Sequence, residues 1–222
     1  MLAINTIVVP QGAEYQAVCR GLQQTKMDDI EVIAIPIGVK FVDRVLSDYE
    51  NKLDRATGVL IVGLCGSLSN FYSIGDLVLV TACKDLNHNI VHLNNRLVAE
   101  IQHKLAVATA MGLTSDRVIT QAPKKLALAQ KYNAAIVEME GYDYVTKLQQ
   151  REIPVAMLRV VSDDIYGDIP DLSRAIDPQG NLQTLPMAIA FLKQPIAAVR
   201  LIKGSLTGLK ALSQTTAKLF SG

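Results

Sequence analysis

The chain of 222 residues contains no tryptophan, only three cysteines and three histidines, and 5% aromatic residues. Cys19, Cys65 and Cys83 are far apart, lie in apolar surroundings and form no CxxC pair. This pattern argues against a zinc site and against a disulfide framework. We therefore expect three buried thiols and no metal.

An excess of one charge and a long apolar run are also missing. The net charge is +1, which argues against a generally basic nucleic-acid-binding protein. Hydrophobic residues make up 50% of the chain and charged residues 19%, a composition that argues against disorder. The N-terminus lacks the basic lead and apolar stretch of a signal peptide, and no run reaches the roughly 18 apolar residues of a membrane span. We expect an ordered, soluble, cytoplasmic protein of one domain.

What the sequence does contain is an alternation of short β-branched runs with segments of helical period. Several runs are apolar without alternation, as in strands that are covered on both faces. Helices are predicted over 94–111 and 139–151. The predicted strands are NTIVVP, IEVIAIPI, GVLIVGL, DLVLVTA, RVITQA, AAIV and VAMLRVV. The alternation predicts an α/β fold with a mixed, largely parallel central sheet between helical layers.

Ligands of such folds collect where strands end, and three predicted strand ends stand out. The first is GLCGSLSNFYSIGDLVLV, residues 63–80, where Gly63 and Gly66 would let a ligand approach backbone amides closely. The alternative is an ordinary glycine turn between two strands, and this stretch alone favours that alternative.

The second strand end is AAIVEMEGYDYV, residues 134–145, in which Glu138 and Glu140 flank Met139. With a helix over 139–151, Met139 and Glu140 lie in its first turn, where free amides and the helix dipole favour a carboxylate. Capping explains one glutamate at this junction. It explains less well why two glutamates flank a methionine beside a buried strand, where an unpaired charge is costly.

The third strand end is RVVSDD, residues 159–164. A strand that ends in Ser-Asp-Asp is also typical of a turn or a helix N-cap. Together with EME, however, it would place carboxylates from two buried strands at strand ends. Carboxylates with separate roles are the groups that cleave glycosidic bonds.

Four short motifs in order, VGLCGSL, Gly75-Asp76, VEMEG and IPVAMLRVVSDD, resemble those of the nucleoside phosphorylase and nucleosidase superfamily. The resemblance covers roughly residues 4–164 and implies the nucleoside phosphorylase-like fold and cleavage of an N-glycosidic bond. It implies no cofactor, with inorganic phosphate as co-substrate if the reaction is phosphorolysis.

The resemblance also implies roles for single residues. Asp163 would protonate or hydrogen-bond N7 of a purine, and Glu140 would hold the ribose 2′- and 3′-hydroxyls above Met139. Glu14, after the first strand, would orient or deprotonate the attacking water, although a solvated first-turn glutamate is an equal alternative. The expected substrate-binding residues further include Ser162, Gly66 and Glu138, the last more as a partner for nearby backbone or basic groups.

An aspartate at the N7 position is associated with 6-aminopurines, so the expected leaving group is adenine. Two departures from the superfamily pattern are visible. Ile61 and Leu64 stand where phosphorolytic relatives place phosphate-gripping arginine and serine, and VITQAP, residues 118–123, has no phenylalanine to stack on the base. The departures favour hydrolysis over phosphorolysis, and they leave open a non-catalytic nucleoside binder.

The chain is expected to comprise a nucleoside phosphorylase-like core over 1–168 and a C-terminal extension over 169–222 that packs on the same domain. The extension resembles the corresponding part of the hopanoid-associated phosphorylase branch. The matching features are Pro170, the DPQG of 177–180, LKQP and VRLIKGSLTGLKAL. This resemblance implies a lipid-linked nucleoside such as adenosylhopane as substrate. The alternative within the enzyme class is a small nucleoside such as methylthioadenosine or S-adenosylhomocysteine. A homodimer is the default expectation.

The same segment is basic, with no acidic residue after Asp177. From residue 178 onward its cations are Lys193, Arg200, Lys203, Lys210 and Lys218. On a helix, Val199, Ile202, Leu206 and Leu209 would line one face, with cations on another. Such a helix could make a peripheral contact with the inner membrane surface. The alternative, slightly favoured by sequence alone, is that the apolar stripe packs on the core and the lysines are solvated.

Overall fold

The computed structural model describes residues 3–25, 29–53, 55–177 and 179–221. Pro178 of the expected DPQG turn lies outside the described residues. The strands are β1 Ile4–Pro10, β2 Glu31–Ile35, β3 Gly58–Ser67, β4 Leu77–Lys84, β5 Ile90–His92, β6 Ala108–Thr114, β7 Ile136–Glu138 and β8 Val155–Asp163. The helices are α1 Ala13–Leu22, α2 Val42–Asp48, α3 Asn95–Leu105, α4 Ala122–Tyr132, α5 Gly141–Gln150, α6 Thr184–Lys193 and α7 Pro195–Phe220.

The eight strands form one mixed sheet. Five pairings are parallel, β1 with β2 and β3, β3 with β8, and β6 with β4 and β7. Three are antiparallel, β3 with β7, and β4 with β5 and β8. The expected α/β fold with a mixed, largely parallel sheet is therefore confirmed. Because β3, β8, β4, β6 and β7 pair in a closed circuit, this part of the sheet curls into a ring rather than staying open.

The longest strands lie at the centre of the core, which explains their apolar sequences. All nine residues of β8 are buried, and β3 is buried except for the half-buried Leu64. β1, β3 and β8 run parallel, so their carboxyl ends lie at one edge of the sheet, where Gly66 pairs with Asp163. The sheet therefore brings the polar ends of distant segments together.

Two of the secondary-structure elements predicted from the sequence were wrong. The helix predicted over 94–111 ends at Leu105, because Ala106 adopts a left-handed conformation and the chain then enters β6, which pairs with β4 and β7. The strand predicted over RVITQA does not form. β6 already fills the place in the sheet, and residues 117–121 form a loop before α4 begins at Ala122 with Pro123 in its first turn.

The glycine stretch also differs from the turn that the sequence favoured. Gly63 and Gly66 lie inside β3, and the chain turns after Ser67. The turn before β4 contains Gly75, whose φ of 95° suits a residue without a side chain. The absence of a side chain at Gly63 and Gly66 is therefore explained by their neighbours and not by a turn.

α7 packs on α1 and β8 with a face other than the one that its apolar stripe suggested. Its inward residues include small ones: Ala198, Gly204, Gly208, Leu212, Thr215, Thr216, Leu219 and Phe220 are buried. Val199, Ile202 and Leu206 of the apolar stripe are exposed. The slightly favoured expectation that this stripe packs on the core holds for Leu209 alone. It was wrong for the other three residues, because the close approach of α7 to the sheet requires glycine on the inner side.

Two further expectations from the sequence concern the burial of the cysteines and membrane-spanning helices. Cys65 and Cys83 are buried free thiols, whereas Cys19 is only half-buried, so the expected burial holds for two of the three. Among the described residues, no helix combines the length and the apolar character needed to cross a bilayer.

Candidate active site

A cavity of about 210 Å³ lies at the carboxyl ends of β1, β3 and β8. Its acidic lining residues are Glu14, Glu138, Glu140 and Asp163, which come from three separate segments of the chain. Most of the other walls are apolar. They include Ile37, Leu64, Val118, Ile119, Ile169, Leu172 and Leu201. The structure thus brings carboxylates into a largely apolar recess.

Glu138, the first glutamate of EME, accepts hydrogen bonds from protein groups on both carboxylate oxygens. Its Oε2 accepts from the backbone amides of Glu140 at 3.0 Å and Gly141 at 2.7 Å, and from Nη2 of the fully buried Arg159. Its Oε1 accepts from Thr114 Oγ1. Glu138 therefore neutralises Arg159 and caps the N-terminus of α5, which leaves little capacity for a ligand.

Glu140, the second glutamate, has a different environment. It occupies the N-cap position of α5, one residue before the helix and not in its first turn as expected, and its side chain makes no capping bond. Its Oε1 accepts from the amide of Gly38 at 3.0 Å, and Arg159 Nη2 lies 3.9 Å from Oε2. Burial, and then the charge of Glu138, raise the pKa of Glu140 to about 7. Helix capping therefore explains Glu138, and a buried carboxylate with free acceptor capacity remains at Glu140.

Asp163 lies at the end of β8 with both carboxylate oxygens engaged. Oδ2 accepts from the ammonium group of Lys125, which is fully buried, and Oδ1 accepts from Ser162 Oγ at 3.1 Å. Lys125 also donates to the carbonyl of Asp164 at 2.6 Å. Burial raises the pKa of Asp163 although Lys125 opposes the shift. The buried lysine thus fixes both the position and the charge environment of this acid.

The turn that follows β8 is built from Asp164 and not from Asp163. Asp164 Oδ1 accepts from the amide of Tyr166 at 2.9 Å and from Arg200 Nη2 at 2.5 Å. Of the two aspartates of RVVSDD, one therefore makes the turn and the other faces the cavity. The turn interpretation and the site interpretation apply to different residues.

Glu14 reaches the cavity from the first turn of α1. Its Oε1 accepts from the amide of Leu64 at 2.6 Å, and burial raises its pKa although that hydrogen bond and Arg159 oppose the shift. A Cβ on Gly63 would lie 2.4 Å from Arg159 Nη1 and 2.9 Å from Glu14 Oε1. Glycine at 63 therefore leaves room for these side chains, and Glu14 is more constrained than a solvated helix residue.

The remaining expected substrate-binding residues also line the cavity. Met139 and Ser162 do so beside Glu140 and Asp163. A Cβ on Gly66 would lie 2.9 Å from Asp163 Oδ2, so only glycine leaves space for that carboxylate. The structure thus brings every site residue expected from the sequence to one place.

Sequence reasoning missed two cations. Arg159 had a signal, because a charged residue in the middle of an apolar strand needs a buried partner. Lys125 had none, since a lysine in a helix after another lysine is typical of a solvated face. Only the fold turns that position of α4 toward Asp163.

The loop that replaced the expected RVITQA strand contributes to the walls. Val118 and Ile119 line the cavity, where they offer aliphatic surface to a flat ligand in place of the missing phenylalanine. Arg117 is the one cation that lines the cavity among the residues that the structure describes, and it also binds the exposed Asp116.

A larger cavity of about 690 Å³ adjoins the small one. Ile37, Arg117, Val118, Ile119 and Met139 line both. The additional lining of the larger cavity is of mixed charge. It includes Lys40, Asp116, Lys124, Asp171, Ser173 and Asp177. A ligand held at Met139 could therefore extend a substituent into the larger cavity.

Comparison with known structures shows the same fold in several enzymes. A 5′-methylthioadenosine/S-adenosylhomocysteine nucleosidase from Neisseria meningitidis superposes with a TM-score of 0.69 at 12% identity, over 97% of this chain and 98% of that one. A futalosine hydrolase of Helicobacter pylori gives 0.65 at 16%, over 95% of each chain. The 5′-methylthioadenosine nucleosidase of Arabidopsis thaliana gives 0.62 at 16%, over 96% and 93%.

At these identities the structural matches show the fold alone. No curated protein sequence gives a significant match. A family model, however, matches residues 36–185, which include most strands and all site residues except Glu14. Since this match spans more than half of the 222 residues, the chain belongs to the Phosphorylase superfamily.

Proposed function

We propose that the protein releases adenine from an adenine nucleoside by breaking the N-glycosidic bond, with water as the nucleophile. The observation that carries this proposal is the convergence of Glu14, Glu140 and Asp163 on one largely apolar cavity. Membership of the Phosphorylase superfamily makes the chain an enzyme of N-glycosidic bond cleavage. The arrangement of the three acids supports the roles given next.

Bond cleavage needs an acid at the base and negative charge at the sugar. Asp163 supplies a proton or hydrogen bond to N7 as the C1′–N9 bond breaks and its electron pair moves to the purine. Glu140, with acceptor capacity that Glu138 lacks, binds the ribose 2′- and 3′-hydroxyls and stabilises the oxocarbenium-like sugar. Glu14 accepts a proton from the water that attacks C1′. The raised pKa values of Asp163 and Glu14 suit groups that exchange protons.

The electrostatics of the cavity favour water over phosphate. A phosphate needs several cationic or amide donors. Arg159 is committed to Glu138, and Arg117 is the one described cation on the cavity lining. Glu14 adds negative charge, and the amide of Leu64 is not free for phosphate because it already donates to Glu14 Oε1. Inorganic phosphate remains the co-substrate in the alternative reaction, phosphorolysis.

For the group attached to the ribose 5′ carbon, we propose a lipid-linked nucleoside such as adenosylhopane. The support is the apolar surface that α6 and α7 expose, together with Leu201 of α7 on the cavity lining. A second candidate is a small nucleoside, either methylthioadenosine or S-adenosylhomocysteine, the latter with a charged 5′ substituent. The mixed charge of the larger cavity favours that candidate, and structural neighbours act on such compounds.

The deciding experiment measures free adenine from purified protein given adenosylhopane, methylthioadenosine or S-adenosylhomocysteine, each with and without phosphate. We expect release without phosphate. A requirement for phosphate would replace hydrolysis by phosphorolysis, and binding without release of adenine from any of the three would indicate a non-catalytic nucleoside binder.

The matched variants are Asp163→Asn and Asp164→Asn, neighbouring aspartates of which only Asp163 lines the cavity. Loss of a general acid lowers kcat by about 10²–10⁴-fold. We expect a loss of this size in Asp163→Asn and an activity close to the parent in Asp164→Asn. Equal activities in the two variants would remove the proposed acid role.

A further inference from the structure

The outward sides of α6 and α7 expose large apolar residues in an unbroken series along the chain. The series is Leu185, Ile189, Leu192, Ile196, Val199, Ile202 and Leu206. We call these seven residues the α6–α7 apolar surface. Leu192 and Ile196 are 82% and 88% exposed. Single exposed apolar residues need no explanation, but a contiguous group on two successive helices is typical of an interaction surface.

The orientation of α7 is the reverse of that of an ordinary surface helix. On its inner side, a Cβ on Gly204 would lie 1.9 Å from the carbonyl oxygen of Ser162, and a Cβ on Gly208 would lie 2.8 Å from Leu64. These contacts fix which side of α7 faces the sheet. Val199, Ile202 and Leu206 fall on the opposite side at helical spacing. Their exposure therefore follows from close packing on the inner side.

The charges that α6 and α7 themselves contribute around this surface have one sign, although Asp168 and Asp171 of the preceding loop lie beside its α6 end. Lys203 and Lys210 lie on the same outer side of α7, and Lys193 ends α6. Arg200 is bound to Asp164 and is not available. The sequence has no acidic residue from 178 to its end, although its net charge is only +1. The apolar surface is thus bordered by cations without neutralising partners on the same helices.

This charge pattern decides between the two obvious occupants. In a twofold dimer through this surface, α6 and α7 of both copies would contribute basic residues and no acidic residue, and like charges repel. The surface of an anionic bilayer instead offers acyl chains to the apolar residues and phosphates to the lysines. We propose that α6 and α7 dock the protein on the surface of an anionic lipid bilayer. This proposal concerns binding and is independent of the substrate that the active site takes.

Docking also places the active site close to the bilayer. Leu201 lines the catalytic cavity from the inner side of α7, while its neighbour Ile202 is exposed on the outer side. One helix, about 10 Å across, therefore separates the cavity from the proposed bilayer contact. A substrate that partitions into lipid would have a short path to the site.

The test is sedimentation of the full chain with phosphatidylcholine vesicles that contain phosphatidylglycerol, with pure phosphatidylcholine vesicles in parallel. We expect binding to the anionic vesicles that weakens with added salt. The double variant Leu192→Asp/Ile196→Asp should lower the partition coefficient about tenfold or more, since apolar insertion is lost and like charge is added. Lys203→Gln/Lys210→Gln should reduce the preference for anionic vesicles.

The matched control is Ile90→Asp, which removes an exposed isoleucine from the edge strand β5, away from α6 and α7. It should bind vesicles like the parent. The proposal is overturned if the parent does not sediment with anionic vesicles, or if Ile90→Asp and Leu192→Asp/Ile196→Asp lose binding equally. It is also overturned if sedimentation velocity shows a dimer that Leu192→Asp/Ile196→Asp dissociates, which would make a second copy the occupant. Circular dichroism of each variant separates these results from misfolding.

Discussion

At the scale of the residue, the two glutamates of EME differ because Arg159 is shared unequally between them. Nη2 of Arg159 hydrogen-bonds Glu138 directly, and two backbone amides complete that carboxylate. The same nitrogen lies 3.9 Å from Glu140, which is equally buried but accepts one amide. A buried carboxylate without full compensation is unfavourable for folding, and it is suited to binding hydroxyl groups.

Glu140→Gln should therefore stabilise the fold at neutral pH while it impairs catalysis. Because the pKa of Glu140 is raised from 4.5 to about 7, the folded state binds more protons, and stability falls as the pH rises through this window. The substitution should recover on the order of 2 kcal/mol at pH 8 and little at pH 4.5. Urea unfolding at both pH values measures this. The exposed Glu50→Gln serves as control, and an equal effect of pH on both variants would contradict the argument.

Lys125 and Asp163 form a buried pair whose members depend on each other. Removing one partner of such a pair costs about 3–5 kcal/mol, because the other charge stays buried without compensation. Lys125→Met should show a loss of this size in the free energy of unfolding. Adding Asp163→Asn to Lys125→Met should restore part of it. A double-mutant cycle at pH 7 measures the coupling, and strictly additive losses would show that the two side chains do not stabilise each other.

At the scale of the element, α7 is positioned by glycine. Gly204 and Gly208 face β8, and the Cβ that Gly204 lacks would meet a backbone carbonyl that cannot move away without shifting the strand. That carbonyl belongs to Ser162, directly before Asp163. The spacing between α7 and β8 and the position of Asp163, the proposed catalytic acid, are therefore linked through one residue.

Gly204→Ala should destabilise the protein, although alanine is favoured over glycine in helices by up to about 1 kcal/mol. Overpacking costs about 1–3 kcal/mol, so the sign of the effect is decided by the contact with Ser162. Thermal unfolding is the measurement. Thr207→Ala, at an exposed site of the same helix, should change stability by less than about 0.5 kcal/mol. A stabilised Gly204→Ala variant would show that α7 does not approach β8 this closely.

At the scale of the whole molecule, the last helix is part of the core. Leu212, Leu219 and Phe220 belong to the same buried cluster as the central strands, and α7 covers α1. The boundary at residue 168, predicted from resemblance, therefore separates segments of sequence that share one hydrophobic core in space.

A chain that ends at Gln194 should accordingly fail to fold cooperatively, because removal of α7 uncovers β8 and α1. Near-ultraviolet circular dichroism and urea unfolding would show this. Within the full chain, Phe220→Ala should cost about 3–5 kcal/mol, while the exposed Leu206→Ala should be nearly neutral. Cooperative unfolding of the shortened chain would instead support a separable extension.

The sequence alone was sufficient for the fold class, for the main strands and for singling out the acidic residues that the structure brings together in one cavity. Apolar runs such as β3 and β8 must be buried on both faces, and carboxylates at their ends must be paired or functional, so both features are visible without coordinates. β6 was missed because its pattern continues that of α3, and RVITQA was mistaken for a strand because local β-propensity does not reveal whether the sheet has a free place.

Three features were decided only by the tertiary structure. The closed circuit of strands selects which charges meet, so Lys125 faces Asp163 and Arg159 faces Glu138 from segments far apart in sequence. The outward face of α7 was decided in the same way. The periodicity of the α7 sequence defines an apolar side and a glycine-containing side, but it does not say which of them is buried. The glycine side is buried because a neighbouring backbone lies close enough to exclude any larger residue there, and only the tertiary structure shows that neighbour.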